Sequence, residues 1–266
     1  MQVIKALLAH RGFIFASVKR EFELKYRNSL LGAAWTIINP LAMILVYTVI
    51  FSQVMQAKLA GVDKGFAYSI FLCAGSLTWG LFAEILTRSQ NLFIDNANII
   101  KKINFPKLCL PIITLINACV NFIIVFGLFT LFLAITGNFV GFSYLYIFPL
   151  LAILIMFALG LGMILGVLNV FFRDVGQFFA ILLQFWFWFT PIVYPISALP
   201  KWAGNILQYN PMLKLMQGFQ NILVYGDLQR NLHLTELIPV TILALVLCII
   251  GYQLFRKCAT DMVDEL

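Results

Sequence analysis

The sequence predicts an all-α membrane protein that crosses the bilayer six times, and three observations carry that reading. The chain is 62% hydrophobic and only 11% charged, against roughly 45–50% and about 25% in soluble domains. Its apolar residues gather into runs of about 20, the length a helix needs to cross about 30 Å of hydrocarbon. Lys and Arg collect at the edges of those runs. A soluble enzyme is excluded, and the net charge of +7 points to membrane lipids and not to nucleic acid.

The first 33 residues read as an amphipathic helix running into the first span. Phe15, Val18, Phe22, Tyr26 and Leu30 recur at three- and four-residue steps and predict one apolar stripe. Arg20, Glu23 and Arg27 fall opposite. Glu21 with Lys25, and Glu23 with Arg27, are acid-before-base pairs four apart, which support a helix. Such a helix lies in the membrane plane with its cations among anionic head groups, so Phe22, Lys25 and Arg27 are candidate interface residues.

Spans are predicted over residues 34–54, 67–88, 108–136, 144–172, 176–193 and 236–255. Pro106 and Pro111 bracket the start of the third, where a missing N–H costs least. The third and fourth exceed what the bilayer needs, which predicts tilt or protrusion. Gly160, Gly162 and Gly166 in the fourth include a small-xxx-small step, read as close packing within the chain. With six spans both termini share a side, and that side holds thirteen Lys and Arg against five on the other. Both termini are therefore expected in the cytoplasm. One transmembrane domain covers residues 1–266: a cytoplasmic segment 1–33, a bundle 34–255 and a cytoplasmic tail 256–266. No cleaved signal is expected. The five cysteines form no C-x-x-C pair and read as packing residues, not as zinc ligands or disulfides.

Segment 194–235 is too apolar for a solvated loop. Asn210-Pro211 reads as an N-cap followed by proline at the first helical position, and Gly226 can end that helix. Two short helices, about 200–208 and 211–225, are expected to dip into the outer leaflet. They carry Trp202, Tyr209, Met212, Met216 and Phe219.

No G-x-x-x-x-G-K-[ST] occurs, so nucleotide-driven work has to arrive from another chain. His10 and His233 fall on opposite sides of the membrane, and no metal site is expected. Glu84 and Arg88 predict a local ion pair that snorkels to the inner interface. No acid sits nearer mid-membrane, which argues against a proton-coupled pump. Asn117 and Asn121 on the third span, and Gln184 in the fifth, either hydrogen-bond between helices or line a polar path. The five consecutive aromatics from Phe185 to Phe189 cover all sides of a helix. They form either an aromatic belt or, through Phe185, Trp186 and Trp188, stacking surfaces for sugar rings in a conduit. Between the second and third spans, Asp95 or Asn96 can cap a short helix in which Ile99, Ile100 and Ile103 share a face. Lys101 and Lys102 project elsewhere, and Phe105-Pro106 ends the helix. This connection offers the largest cytoplasmic contact surface between spans; a basic loop lying on the membrane is the alternative.

Five stretches together resemble the ABC-2 type permeases that export lipid-linked polysaccharide (O antigen, capsule or teichoic acid) from bacteria. They are LKYRNSLLGAAWTIINP at 24–40, NIIKKINFPK at 98–107, NVFFRDVGQFF at 169–179, TPIVYP at 190–195 and NPM at 210–212. The resemblance covers essentially the whole chain in the family's order. It implies a half-transporter in the bacterial inner membrane that forms a homodimer and recruits two copies of a separate ATPase. That partner would use ATP and Mg, and this chain would bind no cofactor. It also implies an N-terminal interface helix near residues 10–30, a coupling helix around 95–103 and short gate helices between spans five and six. The family's Arg-Asp pair maps onto Arg173 and Asp174. The aromatic fifth span and compact outer hairpin look most like O-antigen exporters.

Two other function classes compete. A membrane-embedded glycosyl- or acyltransferase acting on a lipid carrier needs paired carboxylates or a His/Asp set at the membrane face, and Asp227, His233 and Glu236 are loosely spaced. A channel or secondary carrier often shows inverted repeats or broken spans, and the sequence shows neither.

Overall fold

A computed structural model describes residues 9–26, 32–54, 59, 66–102, 107–228 and 234–266. Among these there is no strand. The helices are α1 (Arg11–Tyr26), α2 (Trp35–Tyr47), α3 (Ala67–Asp95), α4 (Ala97–Lys102), α5 (Cys109–Ile135), α6 (Ile147–Phe171), α7 (Asp174–Trp188), α8 (Lys201–Leu207), α9 (Pro211–Gln220), α10 (Ile238–Cys258) and α11 (Asp261–Glu265). π-Helical turns prolong α2 over Thr48–Val54 and α9 over Asn221–Tyr225.

Four helical stretches are long and apolar enough to cross a membrane: Ala67–Asp95, Cys109–Ile135, Gly141–Phe171 and Thr235–Cys258. The protein is an all-α polytopic membrane protein. The other two expected spans differ in kind. Trp35–Phe51 is a shorter apolar helix, and with its π turn it reaches Val54. α7 has 15 residues, about 22 Å at 1.5 Å per residue, and stops before the expected end at residue 193. Pro191 explains the stop, because the residue before a proline is pushed out of the helical region. Thr190 completes the break by donating its hydroxyl back to the Trp186 carbonyl at 2.8 Å.

α3 lies at the centre, packed by α5, α6 and α9. Its contact with α6 is close because Gly162 and Gly166 face Ser89. A Cβ on Gly166 would sit 2.5 Å from the Ser89 carbonyl oxygen. On its other side α6 crosses α10 at Gly160 and Gly251: a Cβ on Gly160 would lie 2.5 Å from the Cys248 nitrogen, and one on Gly251 2.8 Å from the Gly160 oxygen. Lipid tails are as apolar as leucine, so such contacts hold spans together by fit and not by transfer from water.

α1 differs from expectation in its register. Ile14 is 6% exposed and packs on Cys109 and Ile113 of α5, whereas Phe15 is 66% exposed. The inward face runs through Ile14, Val18 and Glu21. Glu21 bonds to Arg88 of α3 and Asn117 of α5, which draws its side of the helix towards the bundle. Glu23 stands 3.9 Å from Lys19; Arg27 and Leu30, and the side chains of Lys25 and Tyr26, lie outside the described residues.

The outer helices also depart from the expected picture. Asn210 caps α9 by accepting the Met212 N–H at 3.0 Å, with Pro211 at the first position, and Gly226 closes the π turn at φ 73°. α9 is packed into the bundle: Met212, Met216 and Phe219 are fully buried, walled by α3 and α6. α8 is the exposed member, presenting Trp202 and Ile206, and Tyr209 just after it is exposed too.

Candidate functional site

One end of the bundle gathers α1, the last turns of α3, α4 and the first turns of α5. A polar network joins its elements. Arg88 on α3 donates its Nε to Glu84 Oε1 at 3.0 Å and pairs through a guanidinium NH with Glu21 of α1. Asn121 on α5 donates to the other oxygen of Glu84 at 2.8 Å, and Asn117 donates to the other oxygen of Glu21. The two asparagines lie four apart on one face of α5, which is why they reach two carboxylates on two different helices. They serve as interhelical bonds, and they also line a groove of about 420 Å³ with Glu21, Phe22, Leu24 and Arg88.

A second groove, of about 260 Å³, runs beside the first towards α4. Its walls include Phe13, Arg20, Arg88, Asp95, Asn96 and Ile99. α4 hangs from the end of α3 as a one-and-a-half-turn helix. The Asn96 carbonyl accepts from the Ile99 and Ile100 N–H groups at 3.0 Å each, while the Asn96 side chain turns back to the Leu92 carbonyl at 2.8 Å. Asn96 thus closes α3 as it opens α4. Asp95 and Lys101 are exposed.

Ile99 and Ile100 do not act as one face. Ile99 borders the groove, whereas Ile100 is 7% exposed and sits among Leu92, Phe93, Leu110, Val170, Phe255 and Met262. Ile100 is a root of α4 in the bundle and not part of a surface offered to a partner. The side chain of Lys102 and all of Ile103 lie outside the described residues. α10 and α11 complete the wall behind α4: Phe255 stacks on Phe93 at 5.5 Å, and Lys107 donates to the Ala259 carbonyl at 2.5 Å.

The aromatic run divides in the same way. Trp186 turns inward, meeting Trp79, Phe82 and Phe157 edge-on at 5.4–6.1 Å, and its indole N–H donates to Asn210 Oδ1 at 2.9 Å. That packing removes it from the proposed sugar-stacking set. Phe185, Trp188 and Phe189 are exposed on the outer surface of α7, as is Gln184. These four remain available to lipid, to a second copy or to a substrate. Among the described residues no group of three or more His, Cys, Asp or Glu could hold a metal.

Residues 13–224 match the profile of the ABC-2 type transporter family. The chain belongs to that family. It is 29% identical over 239 residues to an O-antigen export system permease protein RfbA of Klebsiella pneumoniae, spanning 90% of this chain and 88% of the relative. An RfbA of Myxococcus xanthus is 29% identical over 225 residues, 84% of each chain. The polysialic acid transport protein KpsM of Escherichia coli is 22% identical over 247 residues, covering 92% and 93%. The protein is a permease subunit and has no ATPase site of its own.

Three residues of the permease that hold these elements together were not singled out from sequence for the roles they take. Glu21 reads as a surface helix residue. Asn169 lies buried at the end of α6, where its amide donates to the Gln90 carbonyl at 2.8 Å and to Asn91 Oδ1 at 3.2 Å and accepts the Gly176 N–H at 2.9 Å. Asn210 is legible as a cap but not as the acceptor of Trp186. In each case the partner is distant in sequence, and only an unpaired polar residue next to an apolar run could have signalled it.

Proposed function

We propose that this permease is the transmembrane subunit of an ATP-driven exporter of lipid-linked polysaccharide, O antigen being the favoured cargo. Two copies form the membrane path, and two copies of a separate ATPase supply the work from ATP and Mg. The chain crosses the inner membrane six times with both termini in the cytoplasm, in keeping with the distribution of Lys and Arg. The observation that carries the reading is identity of 29–30% to O-antigen export permeases along 90% of the chain, above the 22% to a polysialic acid transporter.

The ATPase contact is assigned to the rim of the groove at α1 and α4, formed by Arg20, Asp95, Ile99 and the cation of Lys101; Lys102 and Ile103 of the same sequence stretch are assigned to it from the sequence alone. Phe22 belongs to the interface helix behind that rim. Both signs of charge beside an apolar Ile suit a protein partner better than a purely anionic lipid surface. The exposed Trp202 of α8 and Tyr209 just after it, backed by buried Met212, Met216 and Phe219, form the outer gate.

The test is to purify the tagged permease from its native membrane and to delete its gene in parallel. The expected result is co-purification of a Walker-motif ATPase and loss of surface polysaccharide, with lipid-linked glycan accumulating inside. A permease that brings down no ATPase, in cells whose surface glycan survives deletion, refutes the proposal.

A further inference from the structure

We infer that α7 is a rigid strut that links the coupling helix at one end of the permease to the outer helices at the other, with Asn169 and Asn210 as its two joints. The inference rests on the proposed coupling through α4. Each end of α7 is capped by an asparagine that belongs to another element. At the inner end Asn169 Oδ1 accepts the Gly176 N–H, in the first turn, at 2.9 Å. The same amide donates to Gln90 and Asn91, one turn before α3 gives way to α4. At the outer end Asn210 donates its amide to the Phe189 carbonyl and to Thr190 Oγ1, each at 3.0 Å. Its oxygen meanwhile accepts from Trp186 and from the first turn of α9.

Between the joints α7 is held lightly. Only Gly176 and Phe179 are buried along its length, and Phe178, Ile181, Phe185 and Trp188 form an exposed stripe down the other side. A helix of 15 residues bends little, so a shift at its foot appears at its head about 22 Å away. Buried amides enforce this. Asn169 is almost fully buried with both its nitrogen and its oxygen bonded, and breaking any of these bonds leaves a buried polar group unsatisfied. Displacement of α4 by an ATPase therefore moves the end of α3, Asn169 and α7 together, and Asn210 passes the motion to α9. Asn169, Trp186 and Asn210 are positioning residues: they touch no cargo in this arrangement.

The claim of a mechanical link requires a measured coupling and not mere spatial sequence. The permease–ATPase complex is reconstituted in liposomes, and glycan exported per ATP hydrolysed is measured for Asn169→Ala, Trp186→Phe and the double variant. Trp186→Phe keeps an aromatic ring against Trp79 and Phe82 but removes the N–H. ATP hydrolysis should stay within about twofold of wild type while export per ATP falls about tenfold in each single variant. Because both act on one linkage, the double variant should lose about tenfold as well, not the hundredfold of independent sites. Gly176→Ala gives a second route to the inner joint, since its Cβ would meet Asn169 Oδ1 at 2.9 Å; it should uncouple in the same way if Asn169→Ala fails to assemble. An unchanged export ratio in Trp186→Phe and Gly176→Ala, or full additivity in the double variant, overturns the strut. A wild-type complex that neither hydrolyses ATP nor exports overturns the proposed function and the strut together.

Discussion

Truncating Ile100 and Ile99 separately distinguishes the root of α4 from the ATPase contact surface proposed for it. Ile100 is 7% exposed and surrounded by side chains of α3, α5, α6, α10 and α11. Ile100→Ala removes three carbons there and leaves a void, which in close-packed interiors costs about 2–5 kcal/mol. At about 2–4 °C per kcal/mol for a chain of this size, melting followed by tryptophan fluorescence in detergent should fall by roughly 5–15 °C. Ile99 borders an open groove and is only half-buried, so Ile99→Ala should cost about 1 kcal/mol or less. The order should reverse for the partner. Ile99→Ala should weaken ATPase binding, measured by titration on immobilised permease, by about 5–30-fold, the effect of losing a moderate interface anchor. Ile100→Ala at temperatures where it remains folded should weaken it less. Equal melting temperatures, or a larger binding loss at Ile100 than at Ile99, would refute the assignment of these two side chains.

Three further outcomes are expected. Arg88→Met removes the cation shared by Glu21 and Glu84; ion pairs this exposed are worth up to about 1 kcal/mol, so trypsin should cut α1 at Lys19 or Arg20 about 2–5-fold faster. Gly160→Leu should abolish recovery of folded protein after detergent extraction, because its Cβ would overlap the α10 backbone, whereas Gly127→Leu, with open space around it, should be recovered normally. In a variant freed of its five cysteines, Asn205→Cys should react with an impermeant maleimide from outside, and Lys101→Cys only after permeabilisation. The opposite pattern would invert the proposed topology.

How much of this was legible in the sequence depends on the range of the interaction. The four long spans are set by composition over about 20 residues, and their helices end within a few residues of where the apolar runs do, except α3, which continues seven residues past Arg88 to Asp95 because its apolar face goes on through Leu92 and Phe93. The cap at Asn210 and the stop at Gly226 are local chemistry and were readable. The face of α1 was misread because periodicity treats Glu21 as solvent-bound, when two partners on distant helices draw it towards the bundle. Ile99 and Ile100 look equivalent as neighbours in a helix, and only the arrival of Phe255 and Met262 separates them. Trp186 is likewise indistinguishable from Trp188 until Asn210 comes within reach of its N–H.

The wall behind the coupling helix has a consequence for how the molecule is made. Phe255 lies near the end of the last span and Ala259 and Met262 follow it, yet Phe255 and Met262 complete the packing around Ile100 and the Ala259 carbonyl holds Lys107. A nascent chain that has threaded all but its last span therefore still presents α4 with one side open. On the proposed coupling through α4, the docking surface is complete only once this late segment has packed across the bundle.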